Sequence, residues 1–194
     1  MRRQITAVIA LALAGVSLHA SLTLPADFRT VVNDASLIMR GRVTDVRSIT
    51  VPGVGVESVA TFAVENVVKG HASGFVYVRV PGGIIGSRRY VTVGAPAFRV
   101  GQRAMLFLRP GATDTAFRPI GMTMWVYPIQ IDPATGRTLV EPPIFAGMTA
   151  DAKGAVVRGD KRRTAVTVPE FESVVRLAMT SPPGAVTNRG KGGK

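Results

Sequence analysis

Past residue 20, apolar residues fall into short runs along this chain, many of them bounded by Gly or Pro. Phe28, Val31 and Val32 sit at helical spacing within Pro25 to Ala35, which predicts one short helix. From Met39 the period changes to two. Met39, Gly41, Val43 and Asp45 fall on one face, and Arg40, Arg42, Thr44 and Val46 on the other. That alternation predicts a half-buried strand within Leu37 to Arg47 whose outer face carries guanidinium groups, with a bulge at Gly41. Further strands are predicted over Ser58 to Val68 and Gly74 to Val80, separated by the turn residues of Val51 to Gly55 and the Lys69-Gly70-His71 stop.

Residues 82–101 read as a loop with a short strand at Tyr90 to Val93. The apolar run Gln102 to Leu108 predicts a strand, as do Phe117 to Gly121, Trp125 to Ile131 and the hairpin arm Arg137 to Val140. Between 141 and 166 only Val156-Val157 and Thr164 to Val168 suggest short edge pieces. Thr167-Val168-Pro169-Glu170 has the form of a capping box ahead of Phe171, Val174 and Val175, so a closing amphipathic helix is predicted near 169–180. Six or seven short strands at about ten-residue spacing, with a helix at each end, favour a mainly β fold. The expected form is a small closed or partly open barrel with short flanking helices.

The two ends differ from the body. Met1-Arg2-Arg3-Gln4 is a positive start, Ile5 to Leu18 is apolar or small, and Ala20 is a small residue at a cleavage position. This is the pattern of a secretory signal peptide over 1–20, and it implies a periplasmic or extracellular protein after cleavage near Ala20. An uncleaved N-terminal anchor is the other reading of the same run, although about 20 apolar residues are needed to span a bilayer. No later run is long enough. The single domain is then 21–180, and Ser181 to Lys194, without apolar periodicity, reads as a disordered basic tail.

Charge narrows the choice of partner. The chain holds 24 Lys+Arg against 12 Asp+Glu, a formal +12, and removal of residues 1–20 takes Arg2 and Arg3 and leaves +10. Such a surface attracts polyanions: acidic polysaccharide, lipid headgroups or nucleic acid. Arg88-Arg89-Tyr90 is the candidate ligand-binding triplet, because Arg forks pair with carboxylate, phosphate or sulfate and Tyr offers a stacking face.

Catalytic chemistry finds little support. There is no Cys, and beyond residue 20 there is one histidine, His71, placed in a turn signal. No nucleophile elbow, P-loop or calcium run occurs. Asp114 and Asp132 sit beside turn residues where Asx turns account for them. Trp125 and Tyr127 fit a core or barrel-mouth pair better than a ligand platform. No catalytic residue, metal site or cofactor is expected. The reading is an exported, non-catalytic binding module for an acidic macromolecule or another exported protein.

Leu37 to Val43, Val67-Val68-Lys69-Gly70, Val80-Pro81-Gly82-Gly83-Ile84-Ile85-Gly86 and Gly94 to Gly101 running into Leu106 to Arg109 together resemble a family of exported bacterial β-proteins, mostly uncharacterised. The resemblance covers about residues 35–132. It implies a small OB-like barrel comparable to netrin and tissue-inhibitor-of-metalloprotease modules, and a partner or inhibitor of a secreted protease as a further role. Those inhibitors ligate the protease zinc through an N-terminal Cys, which this chain lacks.

Overall fold

A computed structural model describes residues 28–112, 115–143, 148–150, 156–158 and 165–180. The expected signal peptide at 1–20 and basic tail at 181–194 lie outside the described residues. The chain order is α1 (Phe28–Asp34), β1 (Leu37–Val51), β2 (Gly55–Lys69), β3 (Phe75–Pro81), β4 (Gly83–Ile85), β5 (Arg88–Tyr90), β6 (Arg103–Pro110), β7 (Phe117–Pro119), a 3-10 turn (Met122–Trp125), β8 (Val126–Ile131), β9 (Thr138–Val140), β10 (Met148–Ala150), β11 (Val156–Arg158), β12 (Val166–Thr167) and α2 (Val168–Thr180).

The fold is mainly β and OB-like. β1 pairs with β2, β2 with β3, β3 with β7, β7 with β6, and β6 returns to β1. The pairings therefore run round a ring, as in a partly open five-stranded barrel. Every link in the ring is antiparallel except β3–β7, which is parallel and has one registered pair, Val78 with Phe117. Along the edge of β6 opposite β1, β7 pairs with Leu108 to Pro110 and β8 with Arg103 to Leu106; β9 and β12 extend the sheet beyond β8, while β4–β5 and β10–β11 form separate two-stranded pieces.

Two cores share the strands β1 and β6. Leu37, Met39, Val43, Phe62, Val78, Leu106 and Leu108 fill the barrel, where Phe62 meets Phe98 edge-on at 5.1 Å. Ile38, Met105 and Phe107 point the other way, under α1 and α2, and pack with Trp125, Tyr127, Phe171 and Val175. Phe107 sits among the rings of Phe28, Trp125, Tyr127 and Phe171 at 5.7–6.4 Å. Strands buried on both faces read as continuous apolar runs, which is why 37–39 and 104–108 do not alternate. Trp125 and Tyr127 are thus core residues, though they stand outside the barrel.

The bulge at Gly41 is present, and further register shifts lie between Ile38 and Met39 and between Val43 and Asp45. A Cβ on Gly41 would stand 2.9 Å from the Ala63 carbonyl oxygen, so the close approach of β1 and β2 needs glycine there. The shift after Val43 reverses the phase expected from the sequence. Val46 turns toward the barrel core, and Asp45, expected on the Val43 face, is exposed.

α2 begins as its sequence suggests. The Thr167 backbone N–H donates to Glu170 Oε2 at 2.9 Å, and the Thr167 hydroxyl donates to the same oxygen at 2.7 Å. At the other helix, Lys69 Nζ donates to the carbonyls of Val32 and Asn33, both at 2.7 Å, and so caps the end of α1. Burial lowers the Lys69 pKa, with nearby Asp34 opposing the shift. The Lys69-Gly70 pair is therefore structural: Lys69 closes α1 and Gly70 lets the chain pass Ser36. Among the described residues no helix is long and apolar enough to cross a membrane.

Candidate functional site

Arg88, Arg89 and Tyr90 form β5, exposed throughout. The loop expected over 82–101 instead contains a hairpin, in which Gly83 pairs with Tyr90, Ile84 with Arg89, and Ile85 with Arg88. Its two-residue connection is Gly86-Ser87, and Gly86 has φ +58°. Glycine at the first central position is what a tight hairpin of this length calls for. The strand expected at Tyr90 to Val93 is correspondingly displaced to Arg88–Tyr90, and the Gly82 to Gly86 stretch, expected as a turn, supplies its partner arm.

The hairpin is tied to the far ends of β1 and β2. The Ile84 N–H donates to Ser48 Oγ at 2.8 Å, the Ser48 and Ser58 hydroxyl oxygens lie 3.4 Å apart, and the Ser58 hydroxyl donates to the Gly82 carbonyl at 2.9 Å. A Cβ on Gly83 would stand 2.4 Å from Ser48 Oγ and 2.6 Å from Ser58 Oγ. Glycine at 83 thus leaves room for the two hydroxyls that anchor the hairpin.

Beside this anchor lies a groove of about 590 Å³. Arg89, Tyr90 and Val91 line it, together with Val46, Ser48, Phe98 and Arg99. Arg88 is not among the lining residues, so the structure separates the triplet and brings Arg99 to Arg89 and Tyr90. Arg99 also borders a second depression of about 550 Å³ with Gln102, Arg103 and Gln130. The Arg99 turn is fixed at both ends. Its N–H donates to Gln102 Oε1 at 3.1 Å, and the Gln102 N–H donates to the Arg99 carbonyl at 3.0 Å.

The rest of this loop is held by the 3-10 turn. Thr123 donates to the Gly94 carbonyl through its hydroxyl at 2.6 Å and its N–H at 3.0 Å. Met122 just before it takes φ +58°, a conformation rare for a side chain of this size. Nothing in the sequence around Arg99 marks it as a groove residue. The Gly86-Ser87 hairpin signal, by contrast, was present in the sequence.

Electrostatics set the groove apart. Among the described residues no carboxylate lines it. Elsewhere three glutamates are each held by two arginines. Glu57 sits between Arg79 and Arg118, Glu65 between Arg40 and Arg103, and Glu172 between Arg40 and Arg176. Among the described residues, Arg88, Arg89 and Arg99 form no ion pair. The groove thus presents two guanidinium groups, a phenol and several hydroxyls with no internal counter-charge, which suits carboxylate, sulfate or phosphate.

The other polar groups singled out by sequence have local roles. Asp132 accepts from the Ala134 N–H at 3.0 Å and the Thr135 hydroxyl at 2.6 Å, an Asx turn. The Thr135 hydroxyl bond, then the Ala134 N–H, hold its pKa below the usual carboxylate range. His71 is exposed just after β2, and Asp114 lies outside the described residues. Among the described residues no three His, Asp or Glu side chains gather as metal ligands. No protein-family model and no curated protein matches the chain.

Proposed function

We propose that this chain is an exported, non-catalytic binding module, and that the groove between the β4–β5 hairpin and the Arg99 turn takes an acidic partner. One observation carries the reading: Arg89 and Arg99 line a single groove with no carboxylate among its described lining residues. Fixed loops hold both residues, so less freedom is lost on binding than with charges on a flexible segment. The groove is also partly apolar, since Ile84 and Val91 line it at 61% and 74% exposure. Apolar walls of this kind favour another exported protein over a bare polyanion. Export rests on residues 1–20, and mass spectrometry of the mature chain should find its N-terminus just past Ala20.

The test is a salt titration of heparin and of polyglutamate binding. Wild type is compared with the Arg89→Ala/Arg99→Ala and Arg88→Ala variants. All three side chains are exposed, so the folds should be unchanged. The groove double variant should bind at least ten-fold more weakly, and its slope of log affinity against log salt should fall by about two on a linear polyanion. Arg88→Ala should change binding less. Equal losses from both variants, or none from either, would place the acidic site elsewhere.

A further inference from the structure

We infer that the partner enters the groove as an extended acidic peptide and adds to β1 as an extra strand. The inference rests on the acidic-groove reading and names its partner class. β1 runs to Val51, but β6 pairs only with Leu37 to Arg42. The last backbone links along that edge join the Val43 N–H to the Gln102 carbonyl and the Gly101 N–H to the Val43 carbonyl, each at 2.8 Å. There the chain leading into β6 turns away through Gly101, at φ +86°.

From Thr44 to Val51, β1 keeps β2 along one edge and has no backbone partner among the described residues along the other. An eight-residue free edge leaves about four residues with N–H and C=O groups directed outward. Natural sheets cover or blunt edges of this length, and β1 carries a bulge before it and Arg47 upon it.

The groove borders this stretch and continues over β2 and β3 at Ser58 and Val80. Val46 and Ser48 belong to the free stretch and line the groove with Arg89 and Arg99. Asp45 is the one acid in the stretch, against Arg47, Arg89 and Arg99, so the local balance stays positive. A peptide strand supplies donors and acceptors at the 3.3–3.4 Å repeat of β1, and its alternate side chains can offer carboxylates to Arg89 and Arg99 and apolar groups to Val91. A polysaccharide or phosphate can meet the arginines, but it carries no amide ladder to pair with β1.

The experiment uses the full chain and a ten-residue peptide alternating Glu and Val, blocked at both ends. A counterpart with Lys for Glu and a heparin oligosaccharide serve as comparators. Amide exchange of Thr44 to Val51 is followed by NMR. The Glu–Val peptide should slow exchange at alternate amides of this stretch ten-fold or more, and heparin should not. Methylating the peptide's own alternate amides should abolish binding in one phase and spare it in the other. Arg89→Ala/Arg99→Ala should weaken the peptide at least ten-fold, and the Lys counterpart should not bind. Strand addition is overturned if the peptide binds without slowing these amides, if both methylation phases bind alike, or if heparin binds and the peptide does not. In each of those cases the acidic groove stands. If neither heparin nor the Glu–Val peptide binds, the groove reading itself falls.

Discussion

Glu57 is 2% exposed on the outer side of the barrel, with the Arg79 guanidinium on one oxygen and Arg118 Nη1 at 2.8 Å from the other. The three residues come from β2, β3 and β7. Removing the carboxylate leaves two guanidinium groups facing each other without a counter-charge, so Glu57→Ala should cost about 3–5 kcal/mol in thermal or denaturant unfolding. Two glycines separate conformational from steric cost. Gly70 and Gly74 both have left-handed φ, at +83° and +67°. A Cβ on Gly70 would stand 2.3 Å from the Ser36 carbonyl oxygen, whereas one on Gly74 meets nothing within 4 Å. Each Ala substitution pays the backbone strain, about 1–3 kcal/mol, but Gly70→Ala must also move the backbone before β1 and should lose clearly more. Glu170 provides a pH test. The Thr167 hydroxyl and N–H hold its pKa below the ordinary value. The stabilisation is therefore complete above about pH 4.3, the unfolded value, and disappears as pH falls through the folded one. Glu170→Gln should flatten that acid limb of the stability curve, as read by chemical denaturation across pH.

At the scale of elements, α2 divides cleanly into a buried and a solvated side. Phe171 packs against Tyr127 at 4.7 Å, and Leu177 is 67% exposed. Phe171→Ala should cost about 3–5 kcal/mol, while Leu177→Ala should stay within about 0.5 kcal/mol. The sequence already showed α2, because its cap and its apolar stripe are local signals. It also showed β2, β3 and β6, whose apolar runs are bounded by Gly or Pro. The phase of β1 past Val43 was not legible, because the shift after Val43 depends on pairing with β2. The β4–β5 hairpin was read as a loop: Gly86-Ser87 is a turn signal, but three-residue strands among several glycines show too little alternation to stand out. Half of the groove was visible in Arg89 and Tyr90. Arg99 was not, because it joins them only after β1, the hairpin and the 99–102 turn have folded. The arginine pairs of Glu57 and Glu65 likewise arise from strand neighbours far apart in sequence.

For the molecule as a whole, the ring of strands is very uneven. β1 and β2 pair along Ile38 to Val51 through three register shifts, yet β3 and β7 meet in register only at Val78 and Phe117. The Glu57, Arg79 and Arg118 side chains bridge that same junction. Amides of β7 should therefore exchange through an opening that costs less than global unfolding, while those of Met105 to Leu108 should require the global event. The expected exchange free energies differ, and Glu57→Ala should widen the gap. The same unevenness gives the barrel a direction of mechanical weakness. Because the chain has no native cysteine, thiol handles placed at two chosen sites are unique. Tension applied between handles on β3 and β7 loads one parallel rung and an ion cluster, and the barrel should unroll there at low force. Tension along the β1–β2 pair loads a long antiparallel run in shear and should be resisted far more strongly.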